Sequence, residues 1–334
     1  MLILKPHQLL FSITLVMGIL IAVSSSSWFI LWMGLELNLL SFIPILTSSS
    51  NRYSAESALK YFLIQALGSA SLLAACPLSM TIPQLAVLII SSALLLKVGA
   101  APFHFWFPPV MQGISWLQSL TLMTIQKITP IAMMSSLLHD TSTQIIILSS
   151  ISSSIVGGLG GLNQTLTRKI ISYSSINHMA WLLAAVSFNE RLWLIYFSSY
   201  TLISASVVAI LHSNQIFHFN QLLTMNLLSK PLKLALLLSL LSLGGMPPLL
   251  GFLPKMLVIQ EFILTQTSLI WLASLLVSAL LTLFFYLRMA LSSLILSSPK
   301  LKSSLQNPQH RSSLILPFLN LSPLLYPLIL LIAY

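Results

Sequence analysis

Long apolar stretches recur along this chain, and they restrict the folds that it can adopt. The first lies near residues 8–26 and the second near 28–47, with only the serines 24–27 between them. A helix that crosses a bilayer needs about 20 apolar residues, because the hydrocarbon core is about 30 Å thick. Stretches of this length recur along the whole chain, so the sequence predicts an all-α polytopic membrane protein.

Composition excludes the main alternatives. Of 334 residues, 57% are hydrophobic and only 6% are charged, which is too little polar surface to coat a water-soluble particle. A net charge of +10 suggests nucleic acid, but the 15 Lys and Arg residues are scattered singly or in pairs through short connections. The single cysteine, Cys76, excludes an intrachain disulfide, a thiolate-held cluster and a cysteine-based zinc site.

Counting the apolar stretches gives eleven predicted transmembrane helices in one domain. They form two sets of five, within 8–138 and 143–296, followed by a last helix at 312–333. The individual spans lie near 8–26, 28–47, 56–80, 84–110, 115–138, 143–161, 168–188, 190–213, 231–265, 268–296 and 312–333.

The basic residues support this count and give an orientation. Eleven spans place ten Lys and Arg residues on one side with Arg288 nearest it, whereas the other side receives only Arg191. Such an excess marks the cytoplasmic or matrix side. The N-terminus is therefore predicted on that side and Tyr334 on the other. The ten residues are Lys5, Arg52, Lys60, Arg168, Lys169, Lys230, Lys233, Lys300, Lys302 and Arg311.

Two of the spans are interrupted by helix-breaking residues. The fourth contains GAAP at 99–102, and the ninth contains GGMPP at 244–248. Free backbone groups at membrane depth are tolerated only where protein or a wet cavity satisfies them, and such breaks mark transport sites. Each break is in the fourth helix of its set, and sets of five helices point in opposite directions. We therefore predict an inverted repeat.

Ionisable residues inside spans are the strongest functional signal. Lys97, Lys127, Lys255 and Glu36 fall at mid-depth, where each charge is costly, so we interpret them as proton carriers. Burial and mutual repulsion favour loss of a proton from at least one lysine. His104 and His178 add groups that titrate near neutrality, although a lone histidine in a span is as often structural.

Four long motifs, in order along the chain, carry a resemblance to a known family. They are KVGAAPFHFW at 97–106, QKITP at 126–130, GGLNQTLTRKIISYSSINHMAW at 160–181 and LSLGGMPPLLGFLPK at 241–255. The chain resembles the subunit 2 family of mitochondrial NADH:ubiquinone oxidoreductase, respiratory complex I. One departure is Pro109, which stands where that family usually has an acid.

The resemblance implies a role for each buried charge. Glu36 and Lys97 would form an ion pair beside the channel, Lys127 would be the central relay and Lys255 the exit-side relay. It also implies a fold of two inverted five-helix repeats in the mitochondrial inner membrane. The expected partners are other membrane-arm subunits, including neighbouring antiporter-like ones. NAD, FMN, Fe–S clusters and ubiquinone would be bound by those partners, and no cofactor by this chain.

Three other classes of protein compete with a proton-translocating subunit of this complex. A cation/proton antiporter subunit would have the same buried charges and broken helices. A haem or quinone redox protein would need paired axial histidines or an equivalent site, and no two histidines stand 13 or 14 residues apart. A pure scaffold is disfavoured by the cost of the buried charges.

Overall fold

The computed structural model describes residues 6–47, 51–138, 140–223, 230–247 and 249–295, and these are overwhelmingly helical. Within those ranges no strand forms, and the one extended pairing is an isolated bridge between Leu166 and His218. The predicted all-α class is confirmed. The predicted last helix, at 312–333, lies outside the described residues.

The chain divides into two compact units, with the boundary after Ser153. The helices that begin in the first unit are α1 (Pro6–Val23), α2 (Trp28–Leu46), α3 (Arg52–Thr81), α4 (Pro83–Val98), a 3₁₀ turn (Phe103–Trp106), α5 (Phe107–Gly113), α6 (Trp116–Met123), α7 (Ile125–Ser136) and α8 (Asp140–Leu162). Among them α1 packs on α2, and α4 packs on both α3 and α7.

The second unit begins within α8, at Ser154. The helices described after α8 are α9 (Thr167–Phe188), α10 (Glu190–Ser213), α11 (Phe219–Leu223), α12 (Lys230–Gly244), α13 (Phe252–Leu264) and α14 (Leu269–Ile295). Here α10 packs on α9, α12 and α13, and α14 packs on α9 and α12.

Seven helical segments in the described ranges are long and apolar enough to cross a membrane, so the chain is a multi-pass membrane protein. They lie at 6–23, 28–46, 52–81, 83–113, 141–162, 190–213 and 269–292. The predicted spans at 115–138 and 231–265 each correspond to two shorter helices, and the span at 168–188 corresponds to α9.

The break in the span at 115–138 is one that the sequence analysis missed. It lies at Thr124, which ends α6 and begins α7 with φ −114° and ψ −76°. The Thr124 hydroxyl donates a 2.7 Å hydrogen bond back to the Leu120 carbonyl, a contact that often bends helices. Neither glycine nor proline marks this position, so the apolar pattern alone predicts one continuous helix.

Small and hydroxylated residues let these helices pack in an apolar medium. At the crossing of α1 and α2, a Cβ on Gly34 would lie 2.7 Å from the Ala22 nitrogen, so only glycine allows this approach. Buried serines satisfy their own hydroxyls; Ser174, for example, donates to the Ile171 carbonyl at 2.7 Å. The buried serines therefore leave few hydroxyl groups without a hydrogen bond. The other buried polar side chains are the ones that identify the candidate functional site.

Candidate functional site

In the first unit, uncharged donors satisfy the end of the broken helix. Gly99 adopts the left-handed conformation, with φ +78°, and ends α4. The indole Nε1 of Trp106 donates to the Leu96 carbonyl at 3.0 Å, and Nε2 of Gln65 donates to the Lys97 carbonyl at 3.2 Å. Two carbonyls of the last turn thus accept from neutral side chains, and the Leu96 carbonyl also accepts from the Gly99 backbone N–H at 3.2 Å.

Lys97 occupies the last turn of α4, with 6% of its surface exposed. Its side chain lies against Gly68 of α3, where an added Cβ would be 3.1 Å from the Lys97 Cγ. Glu36, partly buried on α2, attracts Lys97 electrostatically, but no carboxylate in the described residues lies within 4.0 Å of the lysine nitrogen. Direct pairing of these two residues stays a prediction.

Lys127 is the most deeply buried of the three lysines, with 2% of its surface exposed. Its Nζ lies 4.8 Å from the centre of the Phe107 ring, an arrangement in which the ring face stabilises a cation. The preceding residue, Gln126, accepts a 3.2 Å hydrogen bond from the Tyr61 hydroxyl. The Gln126 amide nitrogen and the Thr129 hydroxyl are buried without a protein partner in the described residues.

His104 lies in the 3₁₀ turn that follows the first break. The side chain is buried, and its ring centroid is 4.3 Å from that of Phe105. The turn therefore holds a titratable ring in the same unit as Lys97 and Lys127.

In the second unit, a lysine binds the end of the broken helix directly. Lys255, on α13, donates from Nζ to the carbonyl of Gly244, the last residue of α12, at 3.0 Å. Nζ also lies 5.7 Å from the Trp181 ring centre. A helix C-terminus carries about half a negative charge, and a cation there gains about 0.3–1 kcal/mol, or about 2 kcal/mol when partly buried. Lys255 is therefore held by a backbone dipole instead of a carboxylate.

His178 lies one turn before Trp181 on α9, within a group of tyrosines that the sequence analysis did not single out. Nδ1 of His178 is 3.0 Å from the Tyr196 hydroxyl, and its ring centroid is 5.0 Å from that of Tyr200. Both tyrosines are on α10 and are buried. Their spacing of four residues puts them on one helix face, which is the signal that could have identified them.

Each unit thus holds a deeply buried lysine, Lys127 in the first and Lys255 in the second. Among the described residues, no carboxylate oxygen lies within 4.0 Å of Nζ of Lys127 or Lys255. The two ammonium groups are instead held by the face of the Phe107 ring and by the Gly244 carbonyl. Near them, unpartnered polar atoms of Gln126, Thr129 and Trp181 are groups that ordered water usually satisfies.

Comparisons with known proteins identify the family of this chain. The family described as NADH:quinone oxidoreductase/Mrp antiporter, TM matches residues 25–82 and 77–282, and the chain belongs to this family. The NADH-ubiquinone oxidoreductase chain 2 of Anopheles gambiae is 44% identical over 334 residues, covering 96% of each chain.

Solved structures show the same fold. A chain of respiratory complex I from Thermus thermophilus superposes with a TM-score of 0.84 at 24% identity, over 98% of this chain and 80% of that one. A chain of the Mrp complex from Dietzia sp. DQ12-45-1b gives a TM-score of 0.82 at 15% identity, over 96% of this chain and 75% of that one. These low identities establish the fold alone.

Proposed function

We propose that this chain is a proton-translocating core membrane subunit of mitochondrial NADH:ubiquinone oxidoreductase. Its relative in Anopheles gambiae, named as chain 2 of that enzyme, matches along nearly the whole length of both chains. The observation that carries the proposal is the set of three lysines, Lys97, Lys127 and Lys255, each buried and each without a carboxylate within 4.0 Å in the described residues.

Each buried group has a distinct part in the proposed relay. Glu36 and Lys97 form an ion pair beside the channel, Lys127 is the central relay, and Lys255 is the exit-side relay. His104 and His178 supply exchange groups between the lysines and water. Protons move along these side chains and bound water, and quinone reduction in other subunits supplies the free energy.

The architecture that accompanies this proposal is an inverted repeat of five-helix sets, with eleven spans in all. The two breaks support it: Gly99 and Gly245 have nearly the same left-handed backbone, with φ +78° and +77°, and lie 146 residues apart. In this proposal the N-terminus faces the matrix and the C-terminus the intermembrane space, because an excess of Lys and Arg in short connections is typical of the matrix side.

No redox chemistry is assigned to this chain. It has one cysteine and, in the residues described, no cluster of three metal-ligating side chains. NAD, FMN, Fe–S clusters and ubiquinone belong to partner subunits in this proposal. The chain contributes to the NADH:ubiquinone reductase activity by coupling quinone reduction in other subunits to proton movement. It does so as one member of the membrane arm, beside other antiporter-like subunits.

A cation/proton antiporter subunit is the second candidate, favoured by the fold shared with the Mrp complex chain. Native gel electrophoresis of gently solubilised inner membranes separates the two. Migration of this chain with a large assembly that oxidises NADH supports the first function. Its recovery only in an assembly without NADH oxidation, which exchanges cations for protons in vesicles, would overturn the first function in favour of the second.

A further inference from the structure

The most specific contact at the second break joins a glycine to a lysine. Gly245, directly after the end of α12, has φ +77°. A Cβ placed on it would lie 2.9 Å from both Cδ and Nζ of Lys255, and 3.1 Å from Cε. Real Cβ atoms do not approach other atoms so closely, so the lysine side chain occupies the space that the missing Cβ leaves.

The same glycine determines what the ammonium can bind. Lys255 Nζ reaches the Gly244 carbonyl at 3.0 Å by passing over Gly245. The left-handed backbone of Gly245 ends α12: the carbonyls of Leu241 and Ser242 accept from the N–H groups of Met246 and Gly245, and the Gly244 carbonyl accepts from Lys255. Gly245 therefore both exposes the acceptor and leaves the path to it open.

We propose that Gly245 is a positioning residue that holds Lys255 on the carbonyl end of α12, and thereby sets the pH at which this lysine passes on its proton. This inference rests on the proposed relay function, and it adds that Gly245 controls the position of one relay residue, Lys255. When Lys255 is held at the end of α12, its ammonium group gains a hydrogen bond and the negative potential of the helix C-terminus. When the side chain is displaced, the ammonium group loses both of these interactions.

Gly245→Asn is the decisive variant, because asparagine tolerates the left-handed backbone yet introduces a Cβ. It is assembled into the complete complex, reconstituted into liposomes, and proton flux is measured against pH during NADH oxidation. We expect the alkaline limb of the pH profile to move to lower pH by about half a unit. A shift of this size corresponds to the loss of one interaction between a cation and a helix C-terminus. In a Lys255→Gln background, in which we expect the flux to be lost, Gly245→Asn should cause no further loss.

Gly99→Asn is the control for adding a side chain at a left-handed position away from a lysine, and it is read as the amount of assembled complex. Gly99 has φ +78°, and its added Cβ would contact the Trp106 ring at 3.2 Å instead of a lysine. A parental pH profile in Gly245→Asn, with flux lost in Lys255→Gln, would overturn the positioning role but leave the relay intact. Full flux in Lys255→Gln would overturn the proposed relay role of Lys255 itself.

Discussion

Both broken helices end in carbonyl groups that need hydrogen-bond donors, and the two ends obtain these donors from different side chains. At the first break, Trp106 and Gln65 donate to the carbonyls of Leu96 and Lys97, and the lysine nitrogen is left for other contacts. At the second break, the Lys255 nitrogen is itself the donor to Gly244. Neutral donors fix one helix end permanently, whereas a donor at the other end changes its hydrogen-bonding capacity when it loses a proton.

This difference assigns different tasks to the two halves of the chain. A helix end satisfied by an indole and an amide is insensitive to proton transfer, so it serves as a rigid support for Lys97. A helix end satisfied by an ammonium is coupled to protonation, because a neutral amine binds a carbonyl less strongly than a charged one. The second break is therefore the one whose geometry we expect to follow proton movement.

The largest effect should come from closing the second break. Replacing Gly245 with Ala and both Pro247 and Pro248 with Leu favours a continuous helix through the break and removes the acceptor of Lys255. We expect proton flux in assembled, liposome-reconstituted complex to fall by about tenfold or more, equivalent to about 1.4 kcal/mol in the barrier. Unchanged flux would mean that this break is only a packing feature.

A smaller effect is expected at the first break, on stability instead of flux. Trp106→Phe keeps an aromatic ring but removes the donor to the buried Leu96 carbonyl. Losing this hydrogen bond should cost about 1 kcal/mol, because the Leu96 carbonyl then keeps only its 3.2 Å hydrogen bond from the Gly99 backbone N–H. The measurement is the thermal denaturation midpoint of the assembled complex, with Phe105→Leu, at an exposed ring, as the control. A loss of flux without a loss of stability would contradict the assignment of this break as a support.

The smallest effect concerns Glu36 and Lys97, which attract each other without contact within 4.0 Å. Single and double substitutions, Glu36→Gln and Lys97→Met, should show a coupling of about 0.5–1 kcal/mol in proton flux when compared as a double-mutant cycle. A direct ion pair in low dielectric would give a larger value. Strict additivity would argue that the two residues act independently.

How much of this the sequence could predict differs between the fold and the site. Spacing of apolar residues predicts the helices, and GAAP and GGMPP predict both breaks, because glycine and proline act locally. The break at Thr124 depends on a side-chain contact to Leu120, which no local pattern announces. Likewise Lys97, Lys127 and Lys255 are evident as charges in apolar spans, whereas Tyr61, Tyr196 and Trp181 resemble ordinary aromatic core residues until the helices are packed.

The most direct test of a lysine relay is the proton flux of Lys127→Ala and Lys127→Arg in the assembled complex. Lys60→Ala is the matched control, since Lys60 is an exposed lysine that binds Glu56 at 2.6 Å near the start of α3. We predict that Lys127→Ala and Lys127→Arg both lose most of the flux, because alanine carries no proton and arginine does not release one, while Lys60→Ala keeps it. Full pumping in Lys127→Ala would contradict the relay.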